Sequence, residues 1–248
     1  MSIEKLQELE KFALGSLVPA AFERLNSYYN QHCRGLEIKI EMKADDTPAS
    51  LADRHTEEKL RDLIYDTYPD HGIIGEEYGA HNPDSEFVWV LDPLDGTKEF
   101  LAQNPGHFGT LIGLMYKGKP VYAVIGEPLE GQVVAGGGLR MNKPDISVPV
   151  ISINEAVFAC TNIETMFQDT QYENAVQKLS REVKSFQAGL NCIGFAKCAT
   201  GEIDLVIERD LGLHDIVALI PVLVTRGCTV MDFDGNTYAD KSFDLKTE

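Results

Sequence analysis

The chain has 248 residues, 44% of them hydrophobic and 25% charged, with 22 Lys plus Arg against 39 Asp plus Glu and a net charge of −17. This is the composition of a globular protein, not a disordered or fibrous one, and a chain of this length buries roughly 70% of its extended surface on folding. The acidity argues against nucleic acid and against anionic membranes as partners, since both are bound through basic surfaces. A phosphate ligand stays open if metal ions sit between it and the carboxylates. The longest apolar run, Ile216 to Val224, has nine residues and contains Pro221, well short of a membrane span. The opening MSIEKLQELEKF has no apolar signal-peptide core, so a cytoplasmic location is expected. Five cysteines, Cys33, Cys160, Cys192, Cys198 and Cys228, show no C-x-x-C spacing and read as reduced.

In chain order, Ile3, Leu6, Leu9, Phe12, Ala13 and Leu17 fall at three- and four-residue steps, which predicts an amphipathic helix to about Tyr29. Residues 38–46 read as extended. A second helix is expected over residues 50–68, stopped by Pro69. Phe87 to Leu91 is a buried strand, and residues 107–116 and 120–125 flank the hairpin turn Lys117-Gly118-Lys119. A short strand at 132–135 precedes a break at Gly136-Gly137-Gly138. Further strands are expected at 146–153, 157–160, 203–207 and 229–233, and helices at 172–183, 194–200 and 213–226, the last interrupted by Pro221. Helices and a meander followed by alternating strand and helix suggest an α+β domain over residues 1–139 and an α/β domain over 140–248.

Five acidic residues stand out by context: Asp53, Glu76, Asp92, Asp95 and Asp215. The apolar strand at Trp89-Val-Leu runs straight into Asp92-Pro-Leu-Asp95-Gly96-Thr97, so two carboxylates arrive at a strand end. Gly96 there permits close approach of a ligand. Ile73-Ile-Gly-Glu76-Glu77 delivers a second acidic pair after another short strand. Taken singly, these are turn-forming aspartates and a solvated loop, Asp215 is a helix N-cap and Asp53 is helix surface. Taken together, they are hard oxygen ligands of the kind that suit Mg²⁺. His214 reads as a loop or supporting residue, and no nucleophile elbow, phosphate-binding glycine loop or dinucleotide fingerprint is present.

GEE (75–77), WVLDPLDGT (89–97), a C-terminal Asp before an apolar helix and KADDTPASLAD (43–53) resemble, in order, the motifs of the inositol monophosphatase-like family of Mg²⁺-dependent, lithium-sensitive phosphatases. HFGTLIGL (107–114), ATGEIDLVIE (199–208) and HDIVALIPVL (214–223) are most similar to its histidinol-phosphate phosphatase branch. The resemblance implies a layered αβαβα sandwich and hydrolysis of a small phosphomonoester, either histidinol phosphate or an inositol phosphate, by metal-activated water. It implies two or three Mg²⁺ ions. Glu76, Asp92 and the Leu94 carbonyl would hold one, and Asp92, Asp95 and Asp215 another. A third ion would lean on Glu76 through waters. Thr97 with Asp53 would position and deprotonate the attacking water, Gly96 and Thr97 N–H groups would contact phosphate, and Glu208 and Asn191 would face the substrate. Homodimers are frequent in the family.

The chain departs from its branch at Ala188-Gly-Leu-Asn191-Cys-Ile193, where Asn191 stands in place of an Asp that helps define the substrate pocket. Two other readings remain at this stage. DPLDGTKEF (92–100) also resembles the 3′-phosphoadenosine 5′-phosphate phosphatases, and the family's non-catalytic, regulatory members offer a binding role. The full ligand set argues for an enzyme.

Overall fold

The computed structural model describes residues 1–42, 48–138, 151–239 and 241–243, with the side chains of Met42 and Pro48 left aside. The chain opens with one long helical run: α1 (Ile3–Phe12), a π-helical turn (Ala13–Leu17) and α2 (Val18–Cys33), ending four residues beyond the expected Tyr29. The wide turn has a local cause. Pro19 has no N–H to return to Gly15, and the Val18 N–H reaches back to the Ala13 carbonyl instead. Strand β1 (Ile40–Met42) pairs antiparallel with β2 (Pro48–Ser50); the rest of the stretch expected to be extended, residues 43–46, lies outside the described residues. Ser50 then caps α3 (Leu51–Thr67), with Asp53 closing the capping box.

A six-stranded sheet follows, in the spatial order β4 (Gly79–His81), β3 (Gly72–Gly75), β5 (Phe87–Asp95), β6 (Gly109–Tyr116), β7 (Lys119–Glu127), β8 (Gln132–Gly137). Only β3 and β5 run parallel; every other neighbouring pair is antiparallel. Helix α4 (Thr97–Leu101) leaves the end of β5. The side chains of β5 alternate between two helix layers. Trp89 and Leu91 pack with Leu9, Phe12, Leu60 and Ile64 of α1 and α3, while Val88 and Val90 pack with Val217. Val217 belongs to α8 (Leu213–Thr225), which lies across β5 to β8 beside α7 (Cys192–Thr200).

A second sheet is all parallel, in the order β10 (Ser185–Ala188), β9 (Val157–Cys160), β11 (Leu205–Val206). One face of β9 meets Leu190 and Ile203 with Cys198 of α7. The other meets Phe167 and Val176 of α5 (Ile163–Phe167) and α6 (Glu173–Glu182). The order of layers is therefore helix, sheet, helix, sheet, helix, as the family resemblance implied.

Several sequence expectations are corrected. Gly136 and Gly137 are not a break but the end of β8, because α8 lies too close for a side chain at Gly136 and the β7 backbone at Val121 and Tyr122 too close for one at Gly137. A Cβ on Gly136 would sit 2.5 Å from Val222 Cα, and Gly137 N–H donates to Thr225 Oγ1 at 2.7 Å. The strand expected at 203–207 shrinks to two residues, and that at 229–233 reduces to a single bridge between Met231 and Thr237. Of the stretch at 146–153, residues 146–150 lie outside the described residues and Ile153–Glu155 is a 3-10 turn. Pro221 sits inside α8 without ending it. Among the described residues no helix is long and apolar enough to cross a membrane.

His71 closes the core at the β3 end. Its ring stacks on Tyr68, centroids 4.6 Å apart, and on Phe87 at 4.9 Å, and Trp89 Nε1–H donates to its Nδ1 at 3.1 Å. Burial pushes its pKa down to about 4. The neutral ring is thus the folded form, and protons bind the unfolded chain first. Its stabilisation is intact above the ordinary histidine range near 6.5 and is lost as pH falls toward 4. We expect a loss on the order of 2 kcal/mol by pH 5. In thermal melts, wild type should drop further between pH 7 and 5 than His71→Gln, which keeps an acceptor for Trp89; equal drops would refute the assignment.

Candidate metal and phosphate site

Parallel pairing of β3 with β5 explains why the two acidic motifs meet. Gly75 lies opposite Leu91, and the Glu76 N–H donates to the Leu91 carbonyl at 3.1 Å, so Glu76 and Asp92 leave adjacent strand ends side by side. β5 then bulges between Asp92 and Asp95, and Pro93 O accepts from Thr110 Oγ1 at 2.9 Å. Asp92 is 2% exposed and takes the Leu94 N–H on Oδ1 at 3.1 Å. From the far side of the sheet, α8 brings Asp215 in its first turn, anchored by the Gly212 N–H on Oδ2 at 2.8 Å. One carboxylate oxygen from each of Asp92, Asp95 and Asp215 lies within 4.8 Å of the other two, and a donor atom from each of Glu76, Asp92 and His214 meets the same limit.

These acids raise one another's pKa. Burial pushes Asp92 well above the usual carboxylate range, helped by the charges of Glu76, Asp95 and Asp215. Burial and the Asp215 charge bring Asp95 to about 7, against the opposing effect of the Cys192 N–H bonded to its Oδ2. Asp215 is also raised, first by burial, although the neighbouring His214 opposes it. Such a set of oxygens, buried together and mutually repelling, fits a divalent cation.

The water-activating pair of the sequence reading is also brought together. Thr97 Oγ1 donates to Asp53 Oδ1 at 2.8 Å, and the Leu94 carbonyl lies 3.2 Å from the same hydroxyl. The other oxygen of Asp53 takes the Ser50 N–H at 2.8 Å and its hydroxyl at 2.5 Å. Burial lifts Asp53 to about 6. Gly96 precedes α4 at φ 92°, a left-handed conformation that favours glycine. A Cβ there would also fall 2.8 Å from Asn191 Nδ2 and 2.9 Å from the His107 carbonyl.

Asn191 stands beside this turn at φ 48° and spends an amide hydrogen on His107 O at 2.7 Å, while His107 Nδ1 bonds Gly189 O at 2.8 Å. Glu208 Oε1 takes both the N–H and the hydroxyl of Thr161, at 2.6 and 2.9 Å. Burial, together with the charges of Asp95 and Asp215, lifts it to about 7. Glu208 is therefore within electrostatic reach of the carboxylates without sharing their cluster.

Two participants escaped the sequence reading, and a third was given only a loop or supporting place. His214, that third residue, carries a ring nitrogen among the acidic oxygens. Cys192 acts through its backbone N–H at the start of α7, which no side-chain motif reveals. Glu57 is fully buried behind Glu77, although its four-residue spacing to Arg61 is that of an ordinary surface pair.

Comparison with known proteins places this geometry. A sequence model of the inositol monophosphatase family matches residues 5–248. The chain is 34% identical over 238 residues to the chloroplastic bifunctional phosphatase IMPL2 of Arabidopsis thaliana, covering 93% of this chain and 67% of that protein. It is 29% identical to the histidinol-phosphatase of Chlorobaculum parvum, covering 80% of this chain and 77% of that one. Its fold matches that of an inositol monophosphatase from Zymomonas mobilis with a TM-score of 0.74 at 24% identity, over 97% of this chain and 90% of that one. The chain belongs to the inositol monophosphatase family and is a phosphoric monoester hydrolase.

Proposed function

We propose that the protein hydrolyses a small phosphomonoester with Mg²⁺, and that its substrate is histidinol phosphate or an inositol monophosphate. The observation that carries this reading is the convergence of the buried Asp92 with the half-buried Asp95 and Asp215, a set of oxygen donors whose repulsion a cation would relieve. Glu76, Asp92 and the Leu94 carbonyl would hold one ion and Asp92, Asp95 and Asp215 a second, with Glu76 supporting a third. When bound, Mg²⁺ supplies Lewis acidity toward the phosphoryl oxygens and the nucleophilic water.

The chain's own groups supply the rest. Thr97 Oγ1 gives its hydrogen to Asp53, which leaves its lone pairs to orient the attacking water. Asp53, near 6, is mostly ionised at neutral pH and takes the proton relayed through Thr97. The first N–H groups of α4, with Gly96 before them, have no helical acceptor and would meet the phosphate. Glu208 and Asn191 would face the leaving alcohol. A small phosphorylated metabolite as partner, a cytoplasmic setting and a homodimer complete the proposal.

The test is phosphate release, with Mg²⁺, from histidinol phosphate, inositol 1-phosphate, fructose 1,6-bisphosphate and 3′-phosphoadenosine 5′-phosphate. We expect release from one of the first two, inhibition by Li⁺, and a loss of at least about a hundredfold in Asp92→Asn, since cation charge stabilisation amounts to several kcal/mol. No release from any of the four, by folded protein that still binds Mg²⁺, would overturn the substrate assignment.

The repulsion within the cluster gives an independent check by thermal melting. Mg²⁺ at about a hundred times its dissociation constant should stabilise wild type by about 2.7 kcal/mol, a rise in Tm of roughly 5–10 °C for a chain of this size. Asp95→Asn keeps an acceptor for the Cys192 N–H and removes one repelling charge. In chelator it should melt at or above the wild-type temperature, and in Mg²⁺ it should lose most of the rise. A variant that melts well below wild type in chelator would contradict the repulsion argument.

A further inference from the structure

We propose that Glu57 and Arg61, an ion pair on α3, form a positioning clamp that sets Glu76 and thereby the affinity of the site for divalent cations; this rests on the metal-site reading above. Glu57 is 0% exposed and Arg61 8%. Arg61 Nε donates to Glu57 Oε1 at 2.8 Å. The remaining acceptor capacity of Glu57 goes to the turn after β3, where the Glu77 N–H donates to Oε2 at 2.8 Å and the Tyr78 N–H to Oε1 at 3.2 Å. Arg61 then donates to the Gly79 carbonyl, and its guanidinium lies 6.0 Å from the centre of the Tyr78 ring.

One helical pair thus grips three successive residues, 77, 78 and 79. On the other side of Glu76, its own N–H is fixed on the Leu91 carbonyl. The Glu76 side chain leaves the backbone between these two anchors, so the direction in which it points is set by both. The sequence bears the mark of the clamp at Gly75. A Cβ there would lie 2.0 Å from Glu57 Oε1 and 2.3 Å from its Cδ, so position 75 admits no side chain while the carboxylate is in place.

Stability alone is a poor account of this pair. A buried ion pair seldom repays its desolvation, and well-packed apolar residues often serve the fold as well or better. A planar guanidinium and a carboxylate do what apolar residues cannot: they fix peptide N–H and C=O groups in direction. The turn they hold is otherwise on the surface, with Tyr78 44% exposed and β4 at the sheet edge. Partners that orient a metal ligand without touching the ion typically contribute 10- to 100-fold in metal affinity.

The experiment titrates Mn²⁺ into chelator-treated full-length protein and reads bound ion by electron paramagnetic resonance, for wild type, Glu57→Gln and Gly75→Ala. Glu57→Gln keeps the shape but loses the charge and one acceptor; Gly75→Ala displaces the carboxylate from the opposite side. Both should weaken Mn²⁺ binding about tenfold or more and raise the Mg²⁺ concentration for half-maximal phosphate release by a similar factor, with kcat at saturating Mg²⁺ within about twofold of wild type. Unchanged Mn²⁺ affinity in either folded variant overturns the proposal, whatever happens to Tm. Failure of both variants to fold makes the pair a requirement of the fold and overturns it too. Wild type that binds Mn²⁺ yet releases no phosphate would instead overturn the phosphatase reading, and the clamp would stand or fall on the Mn²⁺ data alone.

Discussion

Three carboxylates that face one another, one buried and two half-buried, are the constraint around which this molecule is built. At the separation found, two unit charges repel by about 3–4 kcal/mol even at an effective dielectric of 20, and each also loses hydration. The fold offsets part of this before any cation arrives. Asp95 takes the N–H of Cys192 at the start of α7, and Asp215 takes that of Gly212 at the start of α8. Two helices thus turn their positive ends toward the acids. The offset is partial, as the raised pKa values of Asp92 and Asp95 show.

The layering follows from the same requirement. Glu76 and Asp92 can be neighbours because β3 and β5 run parallel, but no local turn brings Asp215 to them from more than a hundred residues away. That is the task of α8, which crosses the six-stranded sheet close enough to require glycine at 113 and 136 and threads Asp215 past the end of β5. α7 serves two layers at once, packing on the first sheet through Ile193 and toward the second through Cys198. Its opening N–H can hold Asp95 only while both sheets keep their places.

What was legible in the sequence was local. A strand running into D-x-x-D-G-T is a contiguous signal, and its consequence, two carboxylates at a strand end, needs no tertiary knowledge. The helix over residues 50–68 was equally plain, since Ser50 and Asp53 form a capping box with their own backbone. What failed depended on partners. Residues 229–233 carry strand-forming side chains, but apart from the bridge to Thr237 they find no sheet edge among the described residues. Gly136 and Gly137 looked like a break because glycine's commonest role is a turn, whereas here Gly136 makes room for the backbone of α8 and Gly137 for that of β7. Glu57 and Arg61 were illegible for the opposite reason: a Glu followed four residues later by an Arg is the mark of a solvated helix face, and only the turn folding over it makes this pair a buried one.

Asn191 shows how the charge constraint reaches toward substrate choice. An Asp in that position would add a further negative charge next to Asp95 and would have no hydrogen for the His107 carbonyl. Asn accepts the same left-handed backbone, donates to His107 and packs its amide over Gly96. The neutral side chain therefore removes a repelling charge from the edge of the cluster and ties the glycine turn to the loop before β6. Under the proposed reading, attraction for a cationic group on the substrate then falls to Glu208. Its pKa of about 7 is held up partly by Asp95 and Asp215. Cations on those two acids would remove part of that effect and leave Glu208 more fully charged. A filled metal site would thus favour the charged form of the residue that would meet a substrate amine, so that one electrostatic cluster would govern both catalysis and recognition.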